Sequence, residues 1–248
     1  MRRCTFFTLL MGMLCLLISK NSFAQVVRKD SSSQQSAFNN SLALYYNSVG
    51  KESPLYNGVE YSFYDPLFKG TAYFLDVKAF SPGNIYYDRV LFNNVPMLYD
   101  LYADKVVVLL YNKFTKFTLI NSKVTAFDYM EHHFINIDAD TIANNTVIKS
   151  GYYDELYKGK VQVLAKRSKS LQSTAGNQTE SYFDLTQDYY IRKGNVYYSI
   201  SSQGSLLAVL KDKKKELQQY MRANDIKYRR TPEEAMVKIA SYYDQLTK

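Results

Sequence analysis

Between residues 55 and 202 the chain is a succession of short β-forming runs divided by Gly, Pro, Asn and Asp, and this punctuation restricts the fold more than any other feature. The runs at 72–77, 85–92, 95–102, 106–111, 117–120, 124–130 and 134–137 are rich in Val, Ile, Tyr and Phe. Each is too short for an ordinary helix. Pro82 and Gly83 stand between Phe80 and Ile85 with turn chemistry, Pro presetting one dihedral and Gly accepting the positive one. Gly194 and Asn195, between Ile191 and Val196, have the composition of a two-residue hairpin loop. Loops this short join antiparallel neighbours. The polar stretch 169–180 reads as a hairpin loop rather than a domain boundary.

Helical spacing marks both ends. Phe38, Leu42, Tyr45, Tyr46 and Val49 share one face ahead of Gly50, which is placed as a C-terminal stop. After residue 202, Leu206, Leu207 and Leu210 are followed by Leu217, Tyr220 and Met221. Thr231, Pro232 and Glu234 then open a last helix, in which Thr caps and Pro takes the first position. Ala235, Met236, Ile239, Ala240, Tyr243 and Leu246 line its apolar face. The expected architecture is α+β: a mostly antiparallel, twisted sheet of about eight strands with an N-terminal helix and a C-terminal helical pair. One domain is expected over 25–248, divided into a helical segment 25–50, a β-rich part 55–202 and helices over 203–248.

Residues 1–24 read as a cleavable signal peptide: Arg2 and Arg3, an apolar run over 6–18, then Ser22-Phe23-Ala24 with small residues at −3 and −1 before Gln25. Cleavage is expected between Ala24 and Gln25. The run is short of the roughly 20 residues that a membrane-spanning helix needs. Acylation at Cys15 is disfavoured because Leu14 precedes it where a small side chain belongs. Both cysteines, Cys4 and Cys15, leave with the leader, so neither disulfide nor thiol chemistry is expected in the product. Without Arg2, Arg3 and Lys20 the 31 basic residues become 28, against 23 acidic, which is a mild excess rather than a polycation. About 224 residues remain, enough to bury a sizeable core. The 24 Tyr and 14 Phe, with no Trp, favour a pleated surface.

A set of short words stands along the chain: Leu55-Tyr56-Asn57-Gly58 with Tyr61, Gly70 before Tyr73-Phe74, Gly83 before Ile85-Tyr86-Tyr87, Asn94-Val95 with Leu98-Tyr99-Asp100, Lys123-Val124 with Phe127, Gly151-Tyr152-Tyr153, and Tyr242-Tyr243-Asp244. In that order, over residues 55–246, they resemble a family of secreted proteins of unknown function common in Bacteroidota. The resemblance implies an envelope location and supplies no catalytic residues. It also implies a glycine shortly after Tyr87-Asp88, where this chain has Arg89.

Sites of chemistry are sparse. The only histidines, His132 and His133, are adjacent and would point to opposite faces of a strand, which separates them as ligands for one metal. The sequence contains no Gly-x-Ser-x-Gly turn, His-Glu-x-x-His helix or phosphate-binding glycine loop. Asp65, Asp76, Asp100, Asp104, Asp128, Asp154 and Glu155 could supply a carboxylate pair for hydrolysis. Basic clusters at 158–169, 211–215 and 227–230 read as solvated charge, and nucleic acid is not expected as a partner. Tyr-Tyr doublets put one ring on each face of a strand, which makes Tyr86, Tyr87, Tyr197 and Tyr198 the candidate aromatic surface. The expected function is that of a soluble periplasmic or extracellular protein with no cofactor and no transmembrane segment, binding an envelope protein or polymer without catalysis. The alternatives are a lipid-carrier-like half-barrel around an apolar ligand and a hydrolase without a recognisable motif.

Overall fold

The computed structural model describes residues 54–110, 112–143, 147–174 and 180–248, together with Ala37, Phe38, Ser41, Leu44, Tyr45 and Ser48. The signal peptide and, apart from those six positions, the expected helix over 25–50 lie outside the described residues.

Among the described residues the sheet has eleven strands rather than about eight: β1 (Val59–Glu60), β2 (Ser81–Tyr87), β3 (Val90–Asp100), β4 (Lys105–Leu109), β5 (Lys116–Thr118), β6 (Val124–Tyr129), β7 (His132–Ile137), β8 (Gly151–Lys158), β9 (Val161–Thr174), β10 (Glu180–Lys193) and β11 (Val196–Ile200). Their order is β1-β5-β4-β3-β2-β6-β7-β8-β9-β10-β11, and every pairing is antiparallel. Four local causes separate this from the expected sheet. The run 85–92 is a hairpin, because Asp88 and Arg89 take φ of 49° and 68° between the paired Tyr87 and Val90. Both central residues of a type I′ turn need positive φ, and here neither is glycine. Pro82 and Gly83 lie inside β2 at a register shift. Gly83 is required there by close approach, since a Cβ would sit 2.5 Å from Met97 Sδ and 2.6 Å from the Asp128 carbonyl. The run 72–77 is no strand, because Leu75 and Asp76 take positive φ in a single 3-10 turn. The polar stretch 169–174 continues β9, and β9 and β10 form a ribbon of 14-residue strands whose far end is largely exposed. Gly194, with φ of 61°, occupies the expected tight loop before β11.

The chain's last part holds three helices, not a pair: α1 (Gln203–Val209), α2 (Lys214–Ala223) and α3 (Pro232–Leu246). Leu210 leaves helical geometry at ψ 32° and a 3-10 turn over Lys211–Lys213 intervenes, which divides the first expected helix. Ser202 and Ser205 cap α1 reciprocally. Thr231 makes no side-chain capping bond to α3, contrary to the sequence expectation. Among the described residues, no helix is long and apolar enough to cross a membrane.

The sheet curls back on itself. Four strands separate β3 from β9 in the sheet order, yet the Lys169 amide donates to the Leu101 carbonyl at 3.2 Å. A strap over residues 69–76 spans the closure: Leu101 donates to the Ala72 carbonyl, Tyr73 bridges Asp100, and Lys69 bridges Tyr182. The strap drives Phe74 inward against Tyr99, Tyr129, His132 and Phe134, at centroid distances of 5.0–6.3 Å. Ile85, Tyr87, Met97, Phe127 and Tyr152 complete this inner core. A second core packs α1–α3 on Val161, Val163, Ile191 and Ile200.

Candidate functional site

Residues 61–73 cross the outer face of β3 and β4, where Leu98 and Val107 lie under Tyr61, Ala72 and Tyr73. One buried carboxylate organises this segment. Asp100 Oδ2 accepts from the Tyr61 hydroxyl at 2.8 Å and the Tyr64 hydroxyl at 2.7 Å, while Oδ1 accepts from the amides of Tyr102 and Ala103 at 2.9 Å. With Tyr64 held, Tyr64, Tyr102 and Phe183 form a triangle of edge-to-face contacts at 5.4–5.6 Å. Phe68 adds to Phe183 at 6.0 Å and Phe63 to Tyr73 at 6.2 Å. Between these rings lies an open cleft of about 240 Å³ lined by Phe63, Tyr64, Phe68, Tyr73, Lys78 and Phe183. At its rim Phe63 is 50% exposed. Burial, reinforced by hydrogen bonding, pushes the Tyr61 and Tyr64 hydroxyls well above their ordinary range, and burial raises that of Tyr73. They therefore act as neutral donors. The fixed rings can stack on a partner, while the hydroxyl protons of Tyr61 and Tyr64 are already committed to Asp100.

A wider polar groove of about 810 Å³ opens where β11 turns into α1, lined by Gln187, Asp188, Tyr189, Ser199, Tyr228 and Arg229 among others. Its floor meets an ionic network between the two cores. The Arg167 guanidinium, 6% exposed, donates to Asp154 Oδ2 at 2.7 Å and to both oxygens of Glu233 at 3.0 and 3.1 Å. His132 Nδ1 donates to the same Asp154 oxygen at 2.7 Å, and the Tyr189 hydroxyl donates to Glu233 at 3.0 Å. Burial and the Glu233 charge push the Tyr189 hydroxyl up to about 12. Arg167 bonds to both carboxylates, so the network joins β8, β9 and α3.

The remaining carboxylates are brackets between elements. Asp104 accepts from Tyr99 at 2.6 Å and Lys166 at 2.6 Å, and Asp128 from His133 Nδ1 at 2.6 Å. Asp76 accepts from Lys169 at 2.5 Å, which holds its carboxyl below the ordinary range. Glu155 accepts from Gln162, and Asp65 caps its own turn at Leu67. The two histidines face opposite sides of β7 and serve different aspartates. Among the described residues, no group of three or more His, Cys, Asp or Glu is placed to hold a metal ion.

The four tyrosines picked from sequence are not brought together. Tyr86 and Tyr198 are 40% and 39% exposed, Tyr87 is fully buried in the inner core, and Tyr197 packs at the edge of a cluster with Tyr153 and Leu164. Five strands separate β2 from β11. The aromatic cleft was missed because its residues follow no period. Its signal is density: six aromatic residues, Tyr61, Phe63, Tyr64, Phe68, Tyr73 and Phe74, fall in a stretch that also holds Asp65, Pro66 and Gly70. Neither protein-family models, nor curated proteins, nor solved structures yield a match to this chain.

Proposed function

We propose that the chain is an exported, non-catalytic module of the bacterial cell envelope that holds a partner protein or polymer in the cleft of Phe63, Tyr64, Phe68, Tyr73 and Phe183. The supporting observation is the fixing of this site from beneath, where Asp100 holds Tyr61 and Tyr64 while the Phe63 rim stays open. A site already ordered loses little side-chain freedom on binding. Large aromatic anchors in such positions dominate interface energies. Isotope-labelled protein titrated with N-acetylphenylalaninamide, and separately with soluble peptidoglycan fragments, should show shifts concentrated at these five residues. Phe183→Ala should weaken the responding probe about tenfold or more. Silence at the rings with every probe counts against the site. In this reading the exported product begins at Gln25 and carries no lipid, which intact mass and N-terminal sequencing would check; an acylated terminus at Cys15 would overturn it.

The curl of the sheet supports a second reading, a carrier with an apolar ligand inside. Against it, the interior is filled by the chain's own rings, with Phe127 and Phe134 stacked at 4.8 Å. An apolar fluorescent probe whose emission rises with the protein, equally in wild type and Phe183→Ala, would transfer the assignment to the interior.

A further inference from the structure

The outer edge of β10 is paired at both ends and open between them. Residues 189–193 pair with β11. At the other end the Lys69 amide donates to the Ser181 carbonyl at 2.9 Å, and the Phe183 amide donates to the Lys69 carbonyl at 3.0 Å. Residues 184–188 pair only with β9, and all five are exposed. Backbone groups of a strand alternate between its two edges. Since Ser181 and Phe183 direct theirs to the strap, Leu185 and Gln187 direct their N–H and C=O to the same open edge, and no backbone bond among the described residues meets them there. The aromatic cleft ends at Phe183 and the polar groove begins at Gln187, so the open stretch lies between two depressions.

Side chains along this stretch differ by face. Leu185, 48% exposed, follows Phe183 on one side, and Asp184, Thr186 and Asp188 alternate on the other. Neither Asp184 nor Asp188 has an ion-pair partner among the described residues.

We propose that this edge takes up an extended segment of a partner protein as an added strand, apolar toward Phe183 and Leu185 and basic toward Asp184 and Asp188. The inference rests on the aromatic-cleft reading at one point, since an apolar side chain of the added strand enters that cleft. A ladder of alternating N–H and C=O is matched by another peptide backbone, which neither a glycan nor an acyl chain provides. The gap of five residues, about 17 Å, sets the length of the segment. Charge argues against a second copy of the chain: antiparallel self-pairing centred on Thr186 would set Asp184 opposite Asp188, and like charges directly opposite destabilise a sheet. The same carboxylates favour lysine or arginine.

The probe is the peptide acetyl-Lys-Phe-Lys-Val-Lys-Val-Lys-amide, added to the full chain, with two copies N-methylated at the odd or the even residues. Saturating peptide should slow amide hydrogen exchange at Leu185 and Gln187 about tenfold or more. One of the two N-methylated copies should lose binding. Asp184→Lys combined with Asp188→Lys, both at exposed positions, should release the peptide and accept its counterpart with Glu in place of Lys. Equal binding by both methylated copies and by the charge-reversed protein overturns edge pairing; if Phe63 and Phe183 still shift, the cleft reading stands alone. Protection at Leu185 and Gln187 without any shift at those rings supports the added strand and sinks the cleft as its anchor.

Discussion

Asp100 is the point at which a single side chain decides the shape of the binding face. Its four accepted hydrogen bonds tie residues 61–64 to the loop after β3. Asp100→Ala would leave two hydroxyls and two amides without their acceptor. Hydrogen bonds to a charged group are worth about 1.5–3 kcal/mol each and are not additive, so a total loss of about 3–5 kcal/mol is expected by denaturant titration. By comparison, the solvent-exposed Lys69–Glu180 pair should contribute less than about 1 kcal/mol. The raised tyrosines give a second test. Tyr61, Tyr64, Tyr73 and Tyr189 hold their protons in the folded state above the pH at which an unfolded chain releases them, about 10. Their contribution to stability is complete below that pH and is lost as pH rises through the folded values, which for Tyr189 is about 12. Denaturation midpoints should therefore fall from pH 10 upward, and tyrosinate absorbance should show a class that ionises only on unfolding.

At the level of elements, α3 is held more by its buried stripe than by its start. Ala235, Met236, Ile239 and Ala240 are fully buried, and Asp244 near its end accepts from Tyr157 and the amides of Lys160 and Val161. Ile239→Ala should cost about 2–5 kcal/mol. Thr231→Ala, with no side-chain cap to lose, should fall below the ~1 kcal/mol of an ordinary cap. Chemical denaturation of the two variants checks the ordering. The apolar face of α3 was legible in sequence because a period of 3.6 survives in any context, and the runs at 106–111, 117–120, 124–130 and 134–137 correspond to β4–β7 for the equivalent reason. The hairpin turn at Asp88-Arg89 was not legible, since its second positive φ falls on Arg89, where a type I′ turn usually carries glycine. Polar residues 169–174 hid a strand, because a ribbon exposed on its faces needs no alternation. The cleft was hidden for a third reason: Asp100 meets Tyr61 and Tyr64 across 39 and 36 residues of chain, and nothing local announces that meeting.

At the scale of the whole molecule, the described residues include no cysteine, so their stability rests on burial and internal polar bonds. Melting curves of the chain from Gln25 onward, recorded with EDTA, with dithiothreitol and with neither, should coincide; a fall of many degrees with EDTA would reveal a bound metal. The strap has a further consequence, for timing. Lys69 and Thr71 find their partners on Glu180 and Lys169, 111 and 98 residues later. A chain that is made N-terminus first cannot shut its seam until residue 183 has followed. Until then Phe74, Tyr99 and Phe127 belong to an unsealed wall, and slow non-local closure of this kind exposes a chain to misassembly. A fragment that stops before residue 160 should accordingly be cut by protease at concentrations that leave the full chain whole, and the interval between those two lengths is when a holdase chaperone would matter most to this protein.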